Sequence, residues 1–277
     1  MAARERCAAA WPIATIGLAM AYFQFPITFS AVGPRQRLER TEDCIKALAS
    51  NPKVRRVCVI FRHGEKEVSD EDMQKDDQPD EGFWKRQHDA ALTQRGLQEA
   101  EAFGAKLSDI LVSEGQMQCV GLLTSPVPRC HATMAAVHTA LKGQNCLEVE
   151  SSSAWMNGTH MPGQEEEAAE AFWARGWRPV VDDLAAGKQI LGFRPLEECV
   201  QTLRDTCDLS GRTRRSRSEE TELFLVCTHD VYLYALAAWF SKGRRPKMPD
   251  FLEQAVWWVE GDTEHFYYDG EEFSSEF

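Results

Sequence analysis

The residues best suited to chemistry form one short run, Phe61-Arg62-His63-Gly64-Glu65, directly after an apolar stretch. The guanidinium of Arg62 offers a planar fork of donors that matches phosphate oxygens. A neutral imidazole at His63 can attack phosphorus and carry the phosphoryl group as a covalent intermediate. Gly64 lets the backbone approach an anion closely. Alone, this run would equally describe a packed strand-end histidine beside a solvated arginine. Three further pieces change that balance. Leu92-Thr93-x-x-Gly96 opens a helical pattern, with Thr93 suited to the N-cap. Thr124-Ser125-Pro126-x-x-Arg129 places a second arginine at a strand-to-helix junction, and Phe224-Leu225-Val226-Cys227-Thr228-His229-Asp230 ends another strand with a second histidine. Two arginines and two histidines then converge on one sheet edge, where open α/β sheets hold their ligands.

The elements that must position these groups follow from hydrophobic patterning. Val54 to Phe61 is a β-branched run and predicts a buried strand. Val120–Thr124, Cys146–Ser151 and Glu222–Thr228 predict further strands, and Ala255–Val259 and His265–Tyr268 two last ones. Helical periodicity covers 35–52, Thr93–Leu111, Pro128–Leu141, 165–185, 195–207 and Val231–Phe240. Strands alternating with helices imply an α/β sheet covered on both faces. The expected organisation is a segment at 1–33, a helical linker at 34–52, one domain at 53–270 and a tail at 271–277.

Composition narrows the function. The chain has 277 residues, 43% hydrophobic and 27% charged, which excludes a wholly disordered, collagen-like or polytopic membrane protein. Its net charge of −12 argues against nucleic acid as a general partner. The stretch 65–89 holds ten acidic and four basic residues and reads as a solvated loop. Nine cysteines, an odd number with no CxxC pair, read as buried free thiols in a reducing compartment, and no Cys or His spacing matches a zinc site. Arg4 and Arg6 precede an uncharged, largely apolar stretch at 11–32, read as a secretory signal or membrane anchor, with a packed or disordered extension as the alternative. Membrane-anchored or organellar localisation is therefore expected, with a cytoplasmic one as alternative.

As an ordered set these motifs resemble the histidine phosphatase superfamily, with its phosphoglycerate-mutase-like fold, over roughly residues 54–270. The resemblance implies a three-layer α/β/α sandwich with a mostly parallel central sheet. It implies His63 as nucleophile, Arg62 and Arg129 as phosphate ligands, and His229 as the second pocket histidine. No metal or organic cofactor is implied, because the cations are side chains. The implied activity is a phosphatase hydrolysing a phosphate monoester, on a small molecule or a phosphoprotein, through phosphohistidine on His63. The alternatives are a phosphoglycerate-mutase-type phosphotransferase and a non-catalytic member acting as scaffold or regulator.

The proton donor is where the chain departs from the pattern. The mutase branch supplies a glutamate shortly after the third strand, but Glu148 and Glu150 fall within the predicted strand, and Met156 or Asn157 occupies the aligned place. His229-Asp230 instead resembles the His-Asp pair of the acid-phosphatase and phytase branch, which implies Asp230 as acid. Glu150, Glu148 or no dedicated acid stay open, and Asp230 would also suit the N-cap of a helix starting at Val231. Lys66 reads either as an added phosphate contact or as a solvated loop cation. Trp155, Trp173 and Trp177 read as pocket walls or core.

Overall fold

A computed structural model describes residues 41–67, 89–141, 149–151, 164–209, 220–242 and 244–276. Strands β1 (Val54–Arg62), β2 (Met117–Thr124), β3 (Val149–Ser151), β4 (Thr221–Thr228), β5 (Gln254–Glu260), β6 (Thr263–Tyr268) and β7 (Glu271–Glu276) form one sheet in the order β3-β2-β4-β1-β5-β6-β7. The first four in that order run parallel, and β5, β6 and β7 continue the sheet antiparallel. Helices are α1 (Thr41–Ala49), α2 (Gln94–Glu114), α3 (Pro128–Ala140), α4 (Glu165–Arg175), α5 (Trp177–Ala185), α6 (Leu196–Thr206) and α7 (Asp230–Phe240). Residues 37–277 form one compact unit.

Successive strand residues point to opposite faces, and β1 shows both faces filled. Val57, Val59 and Phe61 pack with residues of α1, α2 and α3, while Cys58 and Ile60 pack with α6 and α7. The same alternation runs through β4, where Leu223, Leu225 and Cys227 face one layer and Val226 the other. This is the physical content of an apolar run with no polar period: two helical layers leave no solvated face. The expected three-layer α/β/α sandwich is the architecture found.

Several expectations about boundaries need correction. Residues 41–49 of the expected linker belong to the core, because α1 buries Cys44, Ile45, Leu48 and Ala49. The expected tail is β7, an edge strand whose glutamates stay exposed and hide its strand character. The helical stretch 165–185 breaks at Gly176, which adopts φ +78°, a region that costs glycine little. The seven cysteines described are free and buried. The 11–32 segment, most of the acidic loop, Glu148, Trp155, Met156 and Asn157 lie outside the described residues. Among the described residues, no helix is long and apolar enough to cross a membrane.

A buried ionic cluster ties β1 and β4 to the turn that follows helix α6. Arg56 on β1 is 5% exposed; its Nε donates to Glu222 at 2.7 Å and its Nη1 to the carboxylate of Asp208. Removing one member of such a cluster strands buried charge of the other sign. Arg56→Ala is therefore expected to lower unfolding free energy by about 3–5 kcal/mol. Urea denaturation checks this; a loss below about 1 kcal/mol would mean the cluster is screened like a surface pair.

Candidate active site

The site is assembled where β1, β2 and β4 end side by side. Backbone bonds lace these ends beyond the regular ladder: His63 N–H donates to Thr228 O at 2.9 Å, and Ser125 N–H to Cys227 O at 3.0 Å. His63 thus sits just past β1, His229 just past β4, and Arg129 on the first turn of α3 after β2. Helices α3 and α7 both begin here, so their N-terminal N–H groups favour an anion at the same place.

Arg129 binds the two imidazoles to each other. Its Nε donates to His63 Nε2 at 3.0 Å and its Nη2 meets His229 Nδ1 at 3.1 Å. A guanidinium can only donate, so each of those ring nitrogens must present a lone pair. The opposite nitrogen of His63, Nδ1, lies 2.8 Å from the carbonyl of Gly64, which can only accept. His63 is therefore neutral with its proton on Nδ1 and its lone pair on Nε2, the state a nucleophile needs. By the same logic His229 carries its proton on Nε2 and donates it to Ser125 Oγ at 3.0 Å. The Cys130 thiol packs 3.6 Å from that same Nε2.

Arg62 faces the pocket from β1 and is buried. Its Nη1 donates to Pro249 O at 2.9 Å, and its Nη2 pairs with Asp230 Oδ2 at 3.1 Å. Asp230 is the first residue of α7, and His229, not Asp230, occupies the N-cap position. Its Oδ1 accepts from Val231 N–H at 2.8 Å, which leaves the carboxylate 22% exposed beside Arg62. Glu150 is exposed on the short edge strand β3.

The Leu-Thr-x-x-Gly stretch turns out to brace the loop that carries His63. Thr93 Oγ1 accepts from Gly96 N–H at 2.9 Å as an N-cap, and it also donates to Glu65 Oε2 at 2.7 Å. A Cβ at Gly96 would meet Glu65 O at 2.4 Å, and one at Gly64 would meet Gly96 O at 2.8 Å. Only two glycines let α2 press this closely on the turn that carries His63. Lys66, rather than being a solvated cation, is buried, and its backbone bridges to Leu92.

Some residues of the site had no sequence signal that singled them out. Thr133 accepts from Gly64 N–H at 3.0 Å and donates to Arg129 O at 2.8 Å, joining the Gly64 turn to the helix that carries Arg129. Its spacing of four from Arg129, one helical turn, was the available clue. Phe251 and Pro249 lie on the segment entering β5, far from every motif. Ser125 stood inside a motif without an assigned role.

With this geometry in place, the profile of the histidine phosphatase superfamily (branch 1) matches residues 58–266. The chain belongs to that superfamily. Among solved structures, this superfamily member is similar to a mycobacterial glucosyl-3-phosphoglycerate phosphatase, at 15% identity over 73% of this chain and 92% of that one, TM-score 0.45. It is also similar to YhfR of Bacillus stearothermophilus, at 17% identity, 78% and 97% coverage and TM-score 0.48. Phosphoglycerate mutase from Bacillus anthracis gives 13% identity, 82% and 95% coverage and TM-score 0.44. No curated protein matches the chain in sequence.

The electrostatics of His63 generate a pH prediction. Burial first, then the charge of Arg129, the neighbouring His229 ring and the charge of Arg62, hold its imidazole well below the usual value of 6.5, against a smaller opposing effect of the Gly64 carbonyl. The unfolded chain then takes up a proton near pH 6.5 that the folded chain refuses, so stability falls as pH drops below that value. Relative to His63→Gln, the wild type should lose up to about 1.4 kcal/mol per pH unit below about 6.5. Urea unfolding of both proteins across that range checks it; parallel pH profiles would contradict it.

Proposed function

We propose that this superfamily member is a phosphatase that hydrolyses a phosphate monoester through a phosphohistidine intermediate on His63. The observation that carries the reading is the His63 imidazole held by Gly64 and Arg129 with its Nε2 lone pair facing a guanidinium. Membership of the superfamily supports phosphatase- or mutase-like activity more broadly.

In this reading the phosphoryl oxygens draw the N–H groups of Arg129 onto themselves, which frees His63 Nε2. Arg62, Arg129 and His229 surround the phosphoryl group and stabilise the charge of the transition state. The Nε2 lone pair forms the N–P bond while the ester P–O bond breaks, its electron pair leaving on the alcohol oxygen. Asp230 supplies the proton to that oxygen; its carboxyl borders Arg62, and its partial exposure lets solvent replenish the proton. Water then attacks phosphorus and gives a proton to Asp230, and the N–P electrons return to Nε2. The Nδ1–H bond to Gly64 O keeps the ring oriented through both steps. The substrate class is a phosphorylated small molecule or a phosphoprotein.

Steady-state hydrolysis by the full chain tests the reading. His63→Ala should reduce kcat/KM by ~10³-fold or more on any phosphate ester. Asp230→Asn should cost ~10²–10⁴-fold on alkyl phosphates, and far less on p-nitrophenyl phosphate, whose phenolate leaves unassisted. Equal rates for wild type and His63→Ala would remove the enzyme reading. A uniform loss across both ester types in Asp230→Asn would remove Asp230 as acid.

A further inference from the structure

Arg62 lies over an aromatic ring as well as meeting polar partners. The ring of Phe251 lies under the guanidinium, with Cζ 4.2 Å from the ring centroid, and the same ring is 5.9 Å from that of His63. The edges meet Pro249 O at 2.9 Å and Asp230 Oδ2 at 3.1 Å. A carboxylate and a carbonyl fix where two of its nitrogens sit. A ring centred on Cζ adds a further contact and attracts the cation through its quadrupole.

The segment that brings Phe251 here is itself held in place. Arg62 N–H donates to Glu253 O at 3.1 Å, and Leu252 N–H to His63 O at 3.4 Å. Glu253 Oε2 accepts from Asp250 N–H at 2.7 Å, and Lys247 Nζ pairs with Asp250 at 3.0 Å. Tyr268 Oη donates to Lys247 O at 3.0 Å. Leu252, the next residue, adopts φ +57°, a left-handed conformation that is costly for a branched side chain. Strain of this kind persists where surrounding structure over-determines it, and it clusters at functional sites. Here it falls next to Phe251, whose ring lies against Arg62.

We propose that Phe251 is a positioning residue for phosphate recognition, setting the plane in which Arg62 presents its donors beside His63. The proposal rests on Arg62 as a phosphate ligand, and so on the function proposed above. Because Arg62 holds the phosphoryl group before and during transfer, a ring in this position acts on phosphate affinity and on kcat/KM together.

Calorimetric binding of inorganic phosphate to the full chain tests it, with p-nitrophenyl phosphate turnover alongside. Phe251→Ala should weaken phosphate binding about 3- to 30-fold, the range for a cation–π contact, and lower kcat/KM by at least a similar factor. Phe251→Leu, which keeps apolar bulk but has no ring face, should be weakened in the same way. Phe251→Tyr should restore wild-type affinity. Wild-type affinity in Phe251→Leu would overturn the proposal, since bulk alone would then suffice. If Arg62→Ala weakens phosphate binding while Phe251→Ala and Phe251→Leu do not, the proposal fails and the phosphatase reading stands. Unchanged binding in Arg62→Ala would remove Arg62 as a phosphate ligand and the proposal with it.

Discussion

A guanidinium lodged between two imidazoles dictates much of what this site is. Arg129 has donors and no acceptor, so its contacts with His63 Nε2 and His229 Nδ1 assign both lone pairs without any further assumption. The remaining polar groups comply. Gly64 O takes the proton on His63 Nδ1, and Ser125 Oγ takes the one on His229 Nε2. The same positive charge, added to burial, keeps His63 unprotonated. One side chain therefore orients the His63 ring, holds it neutral and, in the proposed mechanism, lies where a phosphoryl group would bind.

That arrangement depends on geometry well outside the pocket. Strand β4 enters between β1 and β2, so three strand ends separated by long stretches of sequence open onto one place. Thr133 ties the Gly64 turn to α3, and the contact between Gly64 and Gly96 ties it to α2. Phe251 and Pro249 approach from the antiparallel side of the sheet, where β5 pairs with β1. The site thus sits at the seam between the parallel and antiparallel parts, and each part supplies contacts to Arg62.

Legibility in the sequence followed how local each signal was. The run from Val54 to Phe61 announced a strand buried on both faces because every position is apolar except the paired Arg55-Arg56. Arg62, His63, His229 and Asp230 were readable because each stands at the end of such a run, and Arg129 because it opens the helix after one, where α/β sheets place functional groups. Strand β7 was not readable: Glu271, Glu272 and Glu276 dominate it, and only pairing with β6 makes it a strand. Phe251 was hidden for a different reason. Its role comes from a cation 189 positions earlier in the chain and from a turn at Leu252 that no local pattern marks. The burial of Lys66 depends in the same way on its bridge to Leu92.

The central claim is that His63 Nε2 carries the phosphoryl group. Rapid denaturing quench of the full chain during turnover of a radiolabelled phosphate ester tests it most directly. The predicted result is label that survives alkali, is lost in acid as an N–P bond should be, and maps to Nε2 of His63. Label on any other side chain, or steady turnover with no label on the protein, would contradict the account.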